Sequence, residues 1–102
     1  MADAELASVN LSGATLTKVK FYSSDLTNAD FRGAQLDQAG FEDAKLAGAR
    51  FAGATFVGTD FESTDLSQAD LSGADLKGCI YNDETTWPDD FTPPTLPETN
   101  AT

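Results

Sequence analysis

Ala69-Asp70-Leu71-Ser72-Gly73-Ala74-Asp75-Leu76-Lys77-Gly78 states one five-residue phrase twice: small, acidic, large apolar, polar, glycine. Outward from it the register holds without a break. Every fifth residue from Leu6 to Tyr81 is Leu, Phe or Tyr, sixteen in all, and two residues before each stands Ala, Val, Ser, Thr or Cys. Neither regular secondary structure has this period. On a helix a step of five turns the side chain by about 140° past a full turn, so no stripe forms. On a strand, positions five apart alternate between faces, and a coiled coil needs 3.5. The pattern suits a solenoid in which each group of five builds one side of a coil.

Ala29-Asp30-Phe31-Arg32-Gly33 carries the phrase as well. With residues 69–78, it resembles the Ala-(Asp/Asn)-Leu-X-X consensus of the pentapeptide-repeat family. The resemblance covers residues 4 to 83. It implies an all-β fold, a right-handed quadrilateral β-helix with four pentapeptides per coil, and hence four coils of about twenty residues.

At twenty residues per coil, one side stacks Leu6, Leu26, Leu46 and Leu66, and the next Leu11, Phe31, Phe51 and Leu71. The third stacks Leu16, Leu36, Phe56 and Leu76, and the fourth Phe21, Phe41, Phe61 and Tyr81. Only the fourth side is aromatic in every coil, which independently favours twenty. The large residue and the small one before it both point inward, so a bulky residue at a small position such as Ala54 overpacks the core. Two residues after each large one lies the corner. On the second side it is always glycine (Gly13, Gly33, Gly53, Gly73), and elsewhere it varies, so the corners are expected to differ by side. Four coils at a ladder spacing of about 4.8 Å make a rod roughly 20 Å long.

The repeat is expected to span residues 1–83. Residues 84–91 break its register and bring the single Trp. Trp87 and Phe91 are expected to act with Tyr81 as a lid over the last ring. This segment also resembles the post-repeat tails of cyanobacterial members of the family. Residues 92–102, proline-rich and polar, read as a disordered tail. Only Met1-Ala2-Asp3 precede the first repeat. That end is therefore expected to pair end to end as a homodimer, to be covered by a partner, or to need a segment missing here.

The chain has 102 residues, 17 acids, 6 bases and no histidine. Without histidine the usual general base and the usual transition-metal ligand are absent. Cys79 is alone and inward, fitting a small buried residue in a reduced state. There is no P-loop, dinucleotide fingerprint or calcium loop, so neither an enzyme nor a cofactor or metal site is expected. No apolar run is long enough to span a bilayer, so no membrane association is expected. The cytoplasm is the expected compartment, though a mature thylakoid-lumen or periplasmic fragment would read the same.

Charge is the informative surface feature. The net charge is −11, of which −5 falls in residues 83–102. Vertical ladders of Asp25, Lys45, Asp65 and of Asp30, Arg50, Asp70 are expected to pair across coils, each worth a few tenths of a kcal/mol. The fourth side is unbalanced. Glu42, Asp43, Asp60 and Glu62 gather there with Tyr22 in the same column, and these five are the candidate partner-binding residues. The wrong sign of charge excludes direct nucleic-acid binding. The leading expectation is a non-catalytic protein-interaction module with an unknown protein partner. The family resemblance adds two alternatives, a DNA mimic binding the type II topoisomerase gyrase and a regulatory protein of cyanobacteria. Duplex DNA carries about one charge per 1.7 Å, or about twelve over 20 Å. The −6 of residues 1–82 falls well short of that.

Overall fold

The computed structural model describes residues 3–89 with 91 and 92. Of the expected tail only Thr92 lies among them. The chain coils with a period of twenty. Parallel bridges join Glu5 to Asp25, Asn10 to Asp30, Thr15 to Gln35 and Lys20 to Gly40, and the columns continue upward. Most bridges are a reciprocal pair of backbone bonds. Leu6 N donates to Asp25 O (2.8 Å), and Asp25 N donates to Ala4 O (2.9 Å). No side is long enough to form an extended strand, and among the described residues the β-pairing between coils consists of isolated bridges.

The corners explain why each side is so short. A hydrogen bond closes each turn from the small residue back to the preceding large one, as from Val9 N to Leu6 O at 3.1 Å. The third residue of the turn has positive φ, as in a type II turn. In contrast to the expected difference between sides, every corner from Asp3 to Ser63 is left-handed, whether Gly, Ser, Asn, Gln, Asp or Lys. Gly13 and Gly33 have no steric need to be glycine, since a side chain there would meet nothing closer than 3.9 Å. Their φ values of 69° and 70° supply the reason.

The phrase's acidic residue serves the corner too. Asp70 Oδ1 accepts from Ser72 N (3.0 Å), Asp65 Oδ1 from Ser67 N (2.9 Å) and Asp75 Oδ1 from Lys77 N (3.0 Å). Such local bonds from a short carboxylate to the backbone two residues on favour turns.

The expected inward set is buried. Phe21, Leu26, Phe31, Leu36, Phe41, Phe61 and Leu66 are fully enclosed, and so are the small residues Ala29, Ala34 and Ala39. Phe21, Phe41 and Phe61 stack at centroid spacings of 5.3 and 5.2 Å. A second, shorter ladder of Phe31 on Phe51 (5.1 Å) meets the first edge-on, an arrangement that aromatic quadrupoles favour. Where threonine takes the small position, its hydroxyl donates to a carbonyl of the coil below, as from Thr59 to Leu36 O (2.7 Å) and Thr64 to Phe41 O (2.9 Å). Cys79 is buried, and burial pushes its thiol up to about 11.

The loss of register after Tyr81 proves to be a shift of one residue. Asp65 bridges Thr86, twenty-one positions on, and Leu66 N donates to Thr86 O (2.8 Å). Thr85 is buried in the small position and donates to Phe61 O (2.8 Å). Trp87 thus extends the first column above Leu66. It stands edge-on to Tyr81 (5.2 Å) and stacks on Phe91 (5.3 Å), and all three are half-buried against the core.

Between the third and fourth coils the ladder changes. Lower corners donate to the first turn residue of the coil above, as Asn28 N does to Ala47 O. Gly48, Gly53 and Gly58 donate instead to Gln68, Gly73 and Gly78, one residue later. Gln68 is the one corner between Asp3 and Gly78 without positive φ. The Thr55–Asp75 bridge is missing from the third column, and a cleft of 370 Å³ opens there beside Ala54 and Val57.

Two stability predictions follow from this packing. Ala34→Phe, at a fully enclosed small position away from that cleft, should lower unfolding free energy by about 3 kcal/mol. An unchanged urea midpoint would contradict the inward assignment. Trp87→Ala should lower it by about 2 kcal/mol, less than for a fully buried ring. A variant that melts like the parent would show that Trp87 does not cover the last ring.

Candidate interaction surface

The fourth side gathers the features a partner could grip. Its bridge column runs Lys20, Gly40, Asp60, Ile80, and the corner beside it carries Tyr22, Glu42, Glu62 and Asn82. Tyr22 lies across Gly40 so closely that a Cβ there would collide with its ring. Tyr22 covers Gly40 and is itself 36 % exposed.

One coil up, the carboxylates of Glu42, Asp60 and Glu62 come within 4.8 Å of one another. Asp60 is held in place because its Oδ1 accepts from Glu62 N (2.9 Å). Among the described residues no cation pairs with the group. Lys20 Nζ turns to Gln38 O (3.4 Å), and the single ion pair among the described residues, Arg32 with Asp30 at 2.8 Å, lies on the second side. The nearby charge of Asp60, then partial burial and Glu42, raise the Glu62 carboxyl above its ordinary range. Three carboxylates so placed could ligate a hard divalent cation. They could equally take a lysine or arginine side chain.

Of the five candidate residues the structure gathers three, Glu42, Asp60 and Glu62. Tyr22 lies one coil below. Asp43 occupies a corner (φ 60°) and lines a cleft of 410 Å³ round on the first side, with Thr27, Lys45, Ser63 and Asp65. Two residues escaped the sequence reading. Val57 and Ile80 are 63 % and 46 % exposed, and with Tyr22 they complete the exposed large apolar residues among the described ones. All three border the fourth side. Gly78, two residues before Ile80, lies against Val57. The available signal was an aliphatic residue at an outward position that is polar in most other pentapeptides.

The expected charge ladders are corrected. Asp25, Lys45 and Asp65 do stack, as do Asp30, Arg50 and Asp70. No ion pair forms within either column among the described residues. The acids turn to their own corners instead. Thr27 holds Asp25 below the usual range, Ser67 and Thr86 do so for Asp65, and Ser72 for Asp70. Arg32 brings Asp30 to about 2. A bond to the adjacent turn orders fewer side-chain torsions than a reach to the next coil.

The raised Glu62 gives a pH prediction. Its folded pKa lies above the unfolded one, so the folded state binds the extra proton. The resulting stability is present below the unfolded pKa and lost as pH rises through the folded one. Glu62→Gln should thus melt higher than the parent at pH 7, by a few tenths of a kcal/mol after solvent screening, and match it below about pH 4. Equal melting at both pH values would show that the three charges do not repel appreciably.

The family model for pentapeptide repeats matches residues 4–43 and 44–80, in eight copies. No curated protein matches the chain. Among solved structures, a pentapeptide repeat protein from the thylakoid lumen of Arabidopsis thaliana aligns at a TM-score of 0.82 and 32% identity, over 95% of this chain and 71% of that one. One from Nostoc PCC 7120 aligns at 0.60 and 30% identity, over 86% and 77%. HetL, a Nostoc pentapeptide repeat protein involved in heterocyst differentiation regulation, aligns at 0.51 and 30% identity. There the match covers 83% of this chain and 41% of HetL. Among the described residues no helix is long and apolar enough to cross a membrane. The phrase, its register and the coil they build have one common explanation: the chain belongs to the pentapeptide-repeat family.

Proposed function

We propose that this chain is a right-handed quadrilateral β-helix serving as a non-catalytic protein-interaction module, and that its fourth side is the binding surface. One observation carries the reading. The carboxylates of Glu42, Asp60 and Glu62, which form no ion pair among the described residues, gather on the side that the exposed large apolar residues among them, Tyr22, Val57 and Ile80, border. Together they suit a protein surface presenting lysine or arginine beside an aliphatic or aromatic side chain. The cation would relieve the repulsion that raises Glu62, and the apolar group would cover Val57 and Ile80. Tyr22 is the kind of aromatic that anchors such contacts, and it lies against Gly40.

The similarity to HetL favours a regulatory partner over a purely structural one. The DNA-mimic alternative gains less support. Acids on the first and second sides alternate with Lys45 and Arg50, which leaves one narrow acidic face. The module suits the cytoplasm, and equally a thylakoid lumen such as houses the Arabidopsis neighbour.

The test is affinity capture from a lysate of the source organism, read by mass spectrometry. Wild type is compared with Glu42→Lys/Glu62→Lys and with Val57→Ser, keeping Asp60 because it caps its own turn. One protein retained by wild type, lost by the double variant and weakened by Val57→Ser is the expected result. Equal capture by all three would remove the fourth side as the surface. A topoisomerase subunit captured in the expected pattern would establish the DNA-mimic alternative.

A further inference from the structure

The third side carries a break that the repeat does not require. Between the first and fourth coils, Thr55 and Asp75 are the only residues stacked at the middle of a side that form no bridge, among the described residues. The rung below is closed by two bonds. Leu36 N donates to Thr55 O (3.0 Å), and Thr55 N donates to Ala34 O (3.0 Å). Above Thr55 neither bond is made. The N–H groups of Phe56 and Asp75 and the carbonyls of Ala54 and Asp75 have no partner among the described residues. Thr55 turns both its backbone groups down to the coil below, and by the same geometry Asp75 turns its own toward the gap. Asp75 is exposed, so another molecule can reach them. Unpaired backbone groups beside a core are costly until something completes them.

The cleft of 370 Å³ occupies this gap. Buried Ala54 and Phe56 line it, and Val57 and Gly78 line it toward the fourth side. Gly78 leaves the Val57 methyls open, since a Cβ there would stand 3.8 Å from one of them. Exposed Ile80 follows two residues later and bridges Asp60, so an apolar strip leads from the cleft to the carboxylates of Asp60 and Glu62. The first-side cleft differs. Charged Asp43, Lys45 and Asp65 line it, and no exposed large apolar residue does. Apolar walls with unpaired donors and acceptors at one edge match a ring that carries one polar atom. An aliphatic side chain would leave the Asp75 groups unpaired, and a carboxamide would bury little apolar area. Lys77 lines the same cleft, and an ammonium beside a ring face is a favourable contact.

We propose that the third-side cleft is an anchor pocket for one tyrosine or tryptophan side chain of a protein partner. The ring packs on Val57 and Ala54. A phenol hydroxyl or indole N–H donates to the Asp75 carbonyl, and a lysine or arginine a few residues away in the partner reaches Glu62. The proposal rests on the fourth-side reading and adds its main apolar contact one corner away. A ring seated in a pocket and flanked by charge pairs is the usual make-up of the few residues that dominate an interface.

Selection of a random peptide library displayed on phage against the immobilised full chain tests this. The expected result is convergence on sequences holding Tyr or Trp with Lys or Arg a few residues away. A synthetic peptide of that sequence should slow amide exchange at Asp75. It should bind at least about tenfold more weakly to Thr55→Trp, which plugs the mouth, and to Val57→Ser, which removes a wall. Both positions are exposed, and unchanged melting of either variant separates a blocked pocket from misfolding. No convergence, or convergence without an aromatic, would overturn the proposal, as would a peptide indifferent to both variants. Cationic peptides without an aromatic, lost on Glu42→Lys/Glu62→Lys, would remove the pocket and leave the fourth-side reading standing. Aromatic peptides that need Val57 but tolerate Glu42→Lys/Glu62→Lys would keep the pocket and overturn the role of the carboxylates.

Discussion

The twenty-residue closure of the coil is the constraint on which everything else depends. Once residue 25 must stand above residue 5, the two backbone bonds of each bridge come into reach and every side chain acquires a fixed neighbour above and below. The interior then has room for one large and one small residue per side per layer. Phe can fill the large position only if Phe stacks on Phe, as in the fourth column, or if Leu yields it space. A bridge of a single residue is weak alone. Its strength here comes from repetition, each coil contributing one interface to a nearly one-dimensional sum.

Most of the fold could be read from the five-residue register because inward positions admit only two sizes of apolar residue. The four columns, the buried Cys79 and the Phe stack all follow from counting. What could not be counted was geometry off the register. Asp25 and Asp30 stand beside Lys45 and Arg50 as the spacing requires, yet they bond to Thr27 and Arg32, because a short carboxylate reaches its own turn more readily than the next coil. The uniform left-handed corners were hidden by their varied side chains. The one-residue shift that seats Thr85 and Trp87 looked like the end of the pattern.

The candidate surface was half legible. Stacking at twenty put Glu42 above Tyr22 and below Glu62, but only the structure turns Asp43 away to the first side and lays Tyr22 over Gly40. In a solenoid the inward residues are spoken for by packing, so identity is carried by the outward positions, which vary freely. Members of the family can thus share a core and differ in what they bind. The relevant comparison with the Arabidopsis and Nostoc proteins is face by face.

The one-residue displacement of corner bonds between the third and fourth coils divides the molecule mechanically. Below it, cohesion is uniform from coil to coil. At it, the Thr55–Asp75 rung is gone and Gln68 leaves the common corner conformation. A nearly one-dimensional stack parts first at its weakest interface. Local opening is therefore expected to begin at this interface, above an intact phenylalanine column.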